Sequence, residues 1–240
     1  MLRADLDIDA LGAALRANGR LVIPNVLQTE VAAKLRDCLD HTLPWELAYR
    51  DTRYSPEHQS QRLSQADFQA LGPRRAAALR AEILDQARDY FQYLYQYFNI
   101  GQGMKSAQPP GSYLYDLYEF LQSDVFLAPI RRLCATPELN QVFAHATMYT
   151  AGNFLKAHED IVPNRDRRYA YVLGLTRGWQ ADMGGLLHFL DDQDRITDTV
   201  VPGFNSLTLF AVPARHLVST VAPWVTTPRL AITGWLMVSD

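Results

Sequence analysis

The chain has 240 residues, enough for one domain with a sizeable hydrophobic core. Its 23 basic and 26 acidic residues nearly cancel, which argues against recruitment to nucleic acid or an acidic membrane by overall charge. No apolar run approaches the ~18 residues of a membrane span, and the N-terminus lacks a signal-peptide pattern. The two cysteines, Cys38 and Cys134, lie in apolar helical patterns typical of buried thiols in a reducing compartment. We therefore expect a soluble, cytoplasmic protein.

The N-terminal segments predict two helices around a short strand. Asp9 is placed to cap a helix that runs to about Asn18, where Gly19 would end it. The run "RLVIPNVL" then indicates a strand, and "QTEVAAKLRDCLDHTL" indicates an amphipathic helix.

Apolar residues at spacings of three and four predict a long helix from Arg75 to Ile100. Several tyrosines near its end fit either aromatic packing, the commoner role, or a recognition surface. They are Tyr90, Tyr93, Tyr95 and Tyr97. A polar loop, "GQGMKSAQPPGS" at residues 101–112, precedes helical patterns that continue from Tyr113 to Leu133.

From about Gln141 the pattern changes to short β-type runs divided by turns. The runs are "QVFAHATMYT", "RYAYVLGLT", "GGLLHFLD", "SLTLFAVP", "HLVSTVAP" and "RLAITGWLMV". Runs of this length without long helices between them favour a sandwich, jelly roll or barrel over a parallel sheet. Because no linker separates the halves, we predict one α+β domain over residues 1–240. Residues 1–140 would form a helix-rich support and residues 141–240 the β core.

Residues of the β core combine metal-binding and carboxylate-binding chemistry. His158 and Asp160 stand two apart, so an extended backbone would point both side chains to one face. His216 opens a later strand, and Arg229 opens the last strand, on the same face as Trp235. Two histidines and a carboxylate on one face of a metal form the facial triad of non-haem Fe(II) oxygenases. The rigid fork of an interior arginine fits a carboxylate, which a ligand would supply.

The ordered run from Tyr149 to Trp235 resembles the Fe(II)- and 2-oxoglutarate-dependent oxygenases, in particular their prolyl-hydroxylase-like branch. The matching motifs, in chain order, are Tyr149, "HED", Arg167 with "YAYVLGLT", Trp179, "GGLLHF", "LTLF", His216 and "RLAITGW". "RLAITGW" and the paired glycines are most similar to the ribosomal-protein prolyl hydroxylases and their bacterial relatives. Gly174 departs from the pattern, because the oxygen-sensing members have a tyrosine on this strand.

The resemblance implies a double-stranded β-helix (jelly-roll) core and an Fe(II) site made by His158, Asp160 and His216. It also implies that Arg229 binds the distal carboxylate of the cosubstrate 2-oxoglutarate and that Tyr149 donates a hydrogen bond to it. The implied activity is that of a dioxygenase, which uses O2 to hydroxylate a C–H bond.

The substrate is open between a prolyl residue of a protein, which the resemblance favours, and a free amino acid or small metabolite. A non-catalytic binding module on the same fold is a third hypothesis, and the intact set of ligand residues argues against it. Two polar segments, residues 48–60 and 101–112, are predicted to wall the substrate groove. His145 and His188 lack a partner at ligand spacing and are left outside the predicted site. Nothing in the sequence predicts an oligomeric state.

Overall fold

The computed structural model describes residues 1–41, 43–103 and 113–239. The helices in these residues are α1 (Ile8–Asn18), α2 (Thr29–His41), α3 (Gln65–Ala70), α4 (Gly72–Asp89), α5 (Ile100–Gly103), α6 (Tyr113–Gln122) and α7 (Asp124–Cys134). The strands are β1 (Arg20–Pro24), β2 (Glu46–Arg50), β3 (Ser60–Ser64), β4 (Tyr93–Asn99), β5 (Gln141–Tyr149), β6 (Phe154–His158), β7 (Asp166–Leu175), β8 (Leu187–Leu190), β9 (Ile196–Val200), β10 (Phe204–Ala211), β11 (His216–Val218) and β12 (Arg229–Val238).

The strands form one sheet in the order β1-β10-β7-β12-β5-β4-β6-β11-β8-β9, and β2 and β3 extend it from β4. Every named strand pair is antiparallel. Strands β10 and β8 lie near opposite ends of this order, yet Phe210 of β10 packs edge-on against Phe189 of β8 with ring centroids 5.1 Å apart. The sheet therefore curls over on itself into a half-barrel, which confirms the predicted jelly-roll core.

Helix α1 begins and ends through local capping. The Asp7 carboxylate accepts a hydrogen bond from the Ala10 N–H at 3.0 Å, so the cap is Asp7 and the predicted cap, Asp9, is wrong. Asp9 lies in the first turn and forms an ion pair with Arg132 of α7. At the other end Gly19 adopts φ +69° and donates its N–H to the Leu15 carbonyl at 2.8 Å, as predicted.

The predicted helix from Arg75 to Ile100 is wrong in its last third. Helix α4 ends at Asp89, and Tyr90 is extended. Residues Tyr93–Asn99 form strand β4, which pairs with β2, β5 and β6. The fully buried Gln92 side chain stabilises the junction by bonding both the N–H and the carbonyl of Arg50, each at 2.8 Å. The apolar spacing of this segment fits helix and strand alike, and pairing with β5 decides in favour of the strand.

The two faces of β12 serve different parts of the molecule. Alternate residues point outward into the large core beneath the helices and are essentially inaccessible to solvent: Leu230, Ile232 and Leu236. The intervening residues line a cavity inside the half-barrel: Arg229, Thr233 and Trp235. The predicted alternation of this strand is confirmed, and it places the arginine in the interior.

The two cysteines do not form a disulfide with each other; Cys134 is buried and Cys38 is half-buried. Burial raises the pKa of the Cys134 thiol to about 12, so this thiol is inert at neutral pH. Among the described residues, no helix combines the length and the apolar character that a bilayer crossing requires.

Candidate active site

The ends of two neighbouring strands bring the three predicted metal ligands together. Strand β6 ends at His158 and β11 begins at His216, and these two residues are direct partners in the antiparallel register. Asp160 follows β6 with φ +62°, in the left-handed region that aspartate tolerates better than most residues. The expected extended geometry is therefore wrong for Asp160, since a turn directs its carboxylate towards both histidines.

The three side chains present their ligand atoms to a common point. Asp160 Oδ1 lies 3.4 Å from His158 Nε2, and its Oδ2 lies 3.6 Å from His216 Nε2. The three ligand atoms all lie within 4.8 Å of one another. One ion can therefore contact all three residues.

Backbone carbonyls select the metal-binding tautomer of each histidine. His158 Nδ1 lies 3.0 Å from the Lys156 carbonyl, and His216 Nδ1 lies 2.8 Å from the Ala214 carbonyl. Because a carbonyl can only accept, each Nδ1 carries a proton, and Nε2 is the ring nitrogen left for a metal. Both Nε2 atoms face Asp160, which is the arrangement that surrounding hydrogen bonds give to metal-ligating imidazoles.

The electrostatics of the site favour neutral imidazole beside an ionised carboxylate. Burial and the neighbouring His158 together lower the pKa of His216 to about 4, although Asp160 and the hydrogen bond to Ala214 oppose them. Burial by itself would raise the pKa of Asp160, but contacts with His158, His216 and Trp235 outweigh burial and lower it. The Trp235 indole N–H lies near enough to contribute without reaching hydrogen-bond geometry.

Arg167 holds the backbone beside Asp160. Its guanidinium donates to the Asp160 carbonyl at 3.1 Å, while its distance to the Asp160 carboxylate is 4.0 Å. The guanidinium also stacks on the Trp235 ring, 3.5 Å from the centroid, and only 10% of the side chain is exposed. This residue therefore lies at the edge of the triad without competing for the ligand oxygens.

Arg229 and Tyr149 face each other across β12 and β5, where they are register partners. The Arg229 guanidinium carbon lies 4.9 Å from the centre of the Tyr149 ring, which in turn stacks on Tyr95 at 5.0 Å. Arg229 is 4% exposed, its Nε has no hydrogen-bond partner among the described residues, and burial lowers its pKa. A buried cation without a carboxylate partner is the feature expected of an anion-binding site.

The paired glycines let a turn pack against the stem of Arg229. Gly184 and Gly185 both have positive φ, +67° and +62°, and a Cβ on Gly185 would lie 3.3 Å from Arg229 Cδ. The Trp179 indole donates to the Gly184 carbonyl at 2.8 Å and fixes the turn.

A cavity of about 570 Å³ connects the triad with Arg229. Three tyrosines of β4 line it, namely Tyr93, Tyr95 and Tyr97, together with residues of β3, β5, β7 and β12. Ser60 also lines the cavity, so the predicted wall at residues 48–60 contributes to it, although most of that segment belongs to β2, a 3-10 turn and the start of β3. The other predicted wall, residues 101–112, lies mostly outside the described residues.

The sequence of the β core resembles a known family. The family model of the 2OG-Fe(II) oxygenase superfamily matches residues 144–237, a segment that contains the triad and Arg229. The resemblance inferred from the motifs is thereby confirmed.

Among curated members of this superfamily, prolyl 3-hydroxylase sudestada1 of Drosophila melanogaster is 29% identical over 150 residues. The match covers 50% of this chain but only 28% of the fly protein.

Solved structures share the fold at low identity. A Pseudomonas putida prolyl-4-hydroxylase aligns with a TM-score of 0.57 and 18% identity, over 97% of this chain and 100% of that one. A Trichoplax adhaerens prolyl hydroxylase, in complex with a peptide of hypoxia inducible factor, aligns with a TM-score of 0.59 and 15% identity. That alignment covers 96% of this chain and 89% of that chain.

The superfamily implies Fe(II), 2-oxoglutarate and O2, and the residues of the cavity fit these groups. Two imidazoles and one carboxylate match the facial set of non-haem iron and leave other positions of the metal open. The orphaned Nε of Arg229 and its lack of a carboxylate within the described residues match a dianionic cosubstrate.

Three features of the cavity were not predicted from the sequence. The β4 tyrosines were interpreted as helix packing, although their two-residue alternation with Leu94 and Gln96 was a usable strand signal. His145 lies outside the metal group but lines the cavity, 6% exposed, with its Nε2 2.8 Å from the Thr233 hydroxyl. Arg62 of β3 lines the cavity as well, and no pattern in the sequence connects β3 to the site.

The noted departure at Gly174 has a steric cause. A Cβ at this position would lie 2.4 Å from the Gly203 carbonyl oxygen, so the backbones of two strands approach too closely for any side chain. The tyrosine that the oxygen-sensing members have on this strand could not be accommodated here.

Proposed function

We propose that the protein is an Fe(II)- and 2-oxoglutarate-dependent dioxygenase that hydroxylates a prolyl residue of a protein. The observation that carries the proposal is the convergence of three potential ligands, in which Nδ1–carbonyl hydrogen bonds direct the Nε2 atoms of His158 and His216 towards Asp160.

His158, Asp160 and His216 would hold the iron, and Arg229 would hold the distal carboxylate of 2-oxoglutarate. Tyr149 lies against the Arg229 guanidinium and is placed to donate a hydrogen bond to the same carboxylate. When bound, iron, 2-oxoglutarate and O2 supply the oxidising power for hydroxylation, and 2-oxoglutarate leaves as succinate and CO2. The protein holds the three ligands, neutralises the cosubstrate and shields the reaction from bulk water inside the half-barrel.

A prolyl substrate is supported by the relatives. The curated relative and two of the structures described above carry the name prolyl hydroxylase, and one of these structures contains a peptide. The curated relative is far longer than the segment that matches it, so its name is support for the substrate class and nothing finer.

The metal role is tested by Asp160→Ala, with Asp192→Ala in the exposed β8–β9 turn as the matched control. Both proteins are loaded anaerobically with Fe(II), and bound iron and succinate formation are measured. We expect Asp160→Ala to lose both while its circular dichroism spectrum stays unchanged, because a carboxylate in a polar site contributes little to the core. Asp192→Ala should behave as the wild type. Retention of iron and turnover by Asp160→Ala would contradict the proposal.

The substrate class is tested separately, by succinate formation and mass spectrometry with proline-containing peptides or with free amino acids. Turnover driven only by a free amino acid would replace the protein substrate with a small molecule while leaving the dioxygenase assignment intact. Absence of both iron and turnover would favour the non-catalytic module.

A further inference from the structure

Five side chains form a continuous strip across the wall of the cavity. The Arg62 guanidinium lies 4.1 Å from the centre of the Tyr97 ring, and Tyr97 packs on His145 at 5.0 Å. His145 packs on Trp235 at 5.7 Å, and Trp235 carries the Arg167 guanidinium at 3.5 Å. The strip thus consists of three consecutive rings with an arginine at each end.

The strip runs across the strands and ends at the metal site. Its residues come from β3, β4, β5, β12 and β7 in turn. At its last position Arg167 donates to the carbonyl of Asp160, and Trp235 lies close to the Asp160 carboxylate. Whatever lies on the rings is therefore next to the predicted iron ligands.

The cavity has an excess of positive charge. Its described lining contains four arginines, Arg62, Arg165, Arg167 and Arg229, and a single carboxylate, that of Asp160. In the proposed function Asp160 binds the metal and Arg229 binds the cosubstrate. The exposed Arg62 and Arg165 then have no assigned anion, whereas the nearly buried Arg167 lies 4.0 Å from the Asp160 carboxylate.

Solvent can reach the arginine at the outer end of the strip. Arg62 is exposed although it lines the cavity, so an incoming ligand can contact its guanidinium, whereas Arg167 is nearly buried. Tyr97 lies beneath Arg62 and holds the guanidinium in place by stacking. One terminal nitrogen donates to the Gln61 carbonyl at 3.0 Å, and the other in-plane N–H groups can meet an incoming acceptor.

The size of the strip fits a peptide better than a single amino acid. The two ring-to-ring steps of 5.0 and 5.7 Å span about three residues of extended chain at ~3.3 Å each. The flanking arginines lengthen the surface at both ends.

We propose, on the basis of the proposed function, that this strip binds a peptide segment that carries an acidic side chain a few residues from the target proline. The rings pack against the pyrrolidine ring and its neighbours, and Arg62 binds the carboxylate with its planar fork. Arg167 stays with Asp160 and contributes positive charge at the inner end.

The test uses N-acetylated, C-amidated octapeptides with one central proline, in three pools whose flanking positions carry glutamate, glutamine or lysine. Dissociation constants are measured against the protein loaded with Mn(II) and 2-oxoglutarate, at low and high salt. We expect the glutamate pool to bind about tenfold more tightly than the glutamine pool, with the difference shrinking as salt rises. The lysine pool should bind most weakly.

Charge reversal at Arg62 gives a result that a structural role would not give. Arg62→Glu should invert the order, so that the lysine pool binds more tightly than the glutamate pool. Arg195→Glu, in the exposed turn after β8 where Arg195 pairs with Asp191, is the matched control and should keep the wild-type order. Circular dichroism spectra establish that both variants are folded, and the wild-type salt dependence tests the proposal independently of either.

Equal affinity of the three pools for the wild type would overturn the inference, as would an unchanged order in a folded Arg62→Glu protein. Binding of free glutamate or free proline as tight as that of the peptides would also overturn it. Iron content and peptide-free 2-oxoglutarate consumption are measured on the same samples. Absence of both iron and 2-oxoglutarate consumption would count against the dioxygenase function. If both are present but the three peptide pools bind with equal affinity, only the acidic-peptide site is contradicted.

Discussion

Replacing Arg229 by methionine should stabilise the empty protein and abolish its response to 2-oxoglutarate. Arg229 is 4% exposed, and its guanidinium contacts the face of Tyr149 without a carboxylate among the described residues. A buried ion of this kind costs several kcal/mol, and a hydrophobic residue of similar volume is often more stable by about 1–4 kcal/mol. For a protein of this size a gain of about 2 kcal/mol corresponds to a rise of about 4–8 °C in Tm.

The cosubstrate should reverse this order. At a concentration 100 times its Kd, 2-oxoglutarate should stabilise the wild type by about 2.7 kcal/mol and leave Arg229→Met unchanged. Thermal unfolding of both proteins, with Mn(II) and with or without 2-oxoglutarate, measures the two effects together. Arg195→Met provides a control for the loss of an exposed charge and should follow the wild type. The reasoning is refuted if Arg229→Met is less stable than the wild type without cosubstrate and still gains stability when 2-oxoglutarate is added.

Two further predictions concern the strands around the site. Gly234→Ala would place a Cβ 1.7 Å from the Phe143 carbonyl oxygen, so the β5–β12 pair must separate and we expect a loss of more than about 3 kcal/mol in denaturant unfolding. Gly203→Ala, a looser site, should cost far less, and similar losses in both would show that the close approach is not decisive. Burial, aided by nearby arginines, lowers the pKa of His145 from 6.5 to about 3, so below pH 6.5 the unfolded chain takes up a proton that the folded protein refuses. As the pH falls from 6.5 to 3, the free energy of unfolding of the wild type should therefore decrease more steeply than that of His145→Gln, by about 1.4 kcal/mol per pH unit. Parallel curves of stability against pH would contradict a neutral, buried His145.

The amino-acid sequence predicted the class of the β core and named the three candidate metal ligands that the structure brings together. Alternation in "RLAITGW" assigned Arg229 to the interior face, and the structure confirms it, because a two-residue period is a property of the strand itself. The ordered motifs from Tyr149 to Trp235 indicated the resemblance to the superfamily, although the local geometry expected for Asp160 was wrong. A left-handed turn, which the triplet does not encode by its spacing, brings that carboxylate to the histidines.

Tertiary pairing decided the parts that the sequence left ambiguous. Residues 93–99 carry apolar spacing compatible with a helix, and only the antiparallel partner in β5 makes them a strand whose tyrosines line the cavity. His145 and Arg62 lie 83 positions apart in the chain, and each has an ordinary local environment in the sequence. They share one strip because Tyr97, on the strand between them, packs on both. Periodicity reports which face a side chain occupies, whereas the identity of its neighbours depends on strand order, and strand order is set by packing over long separations in the chain.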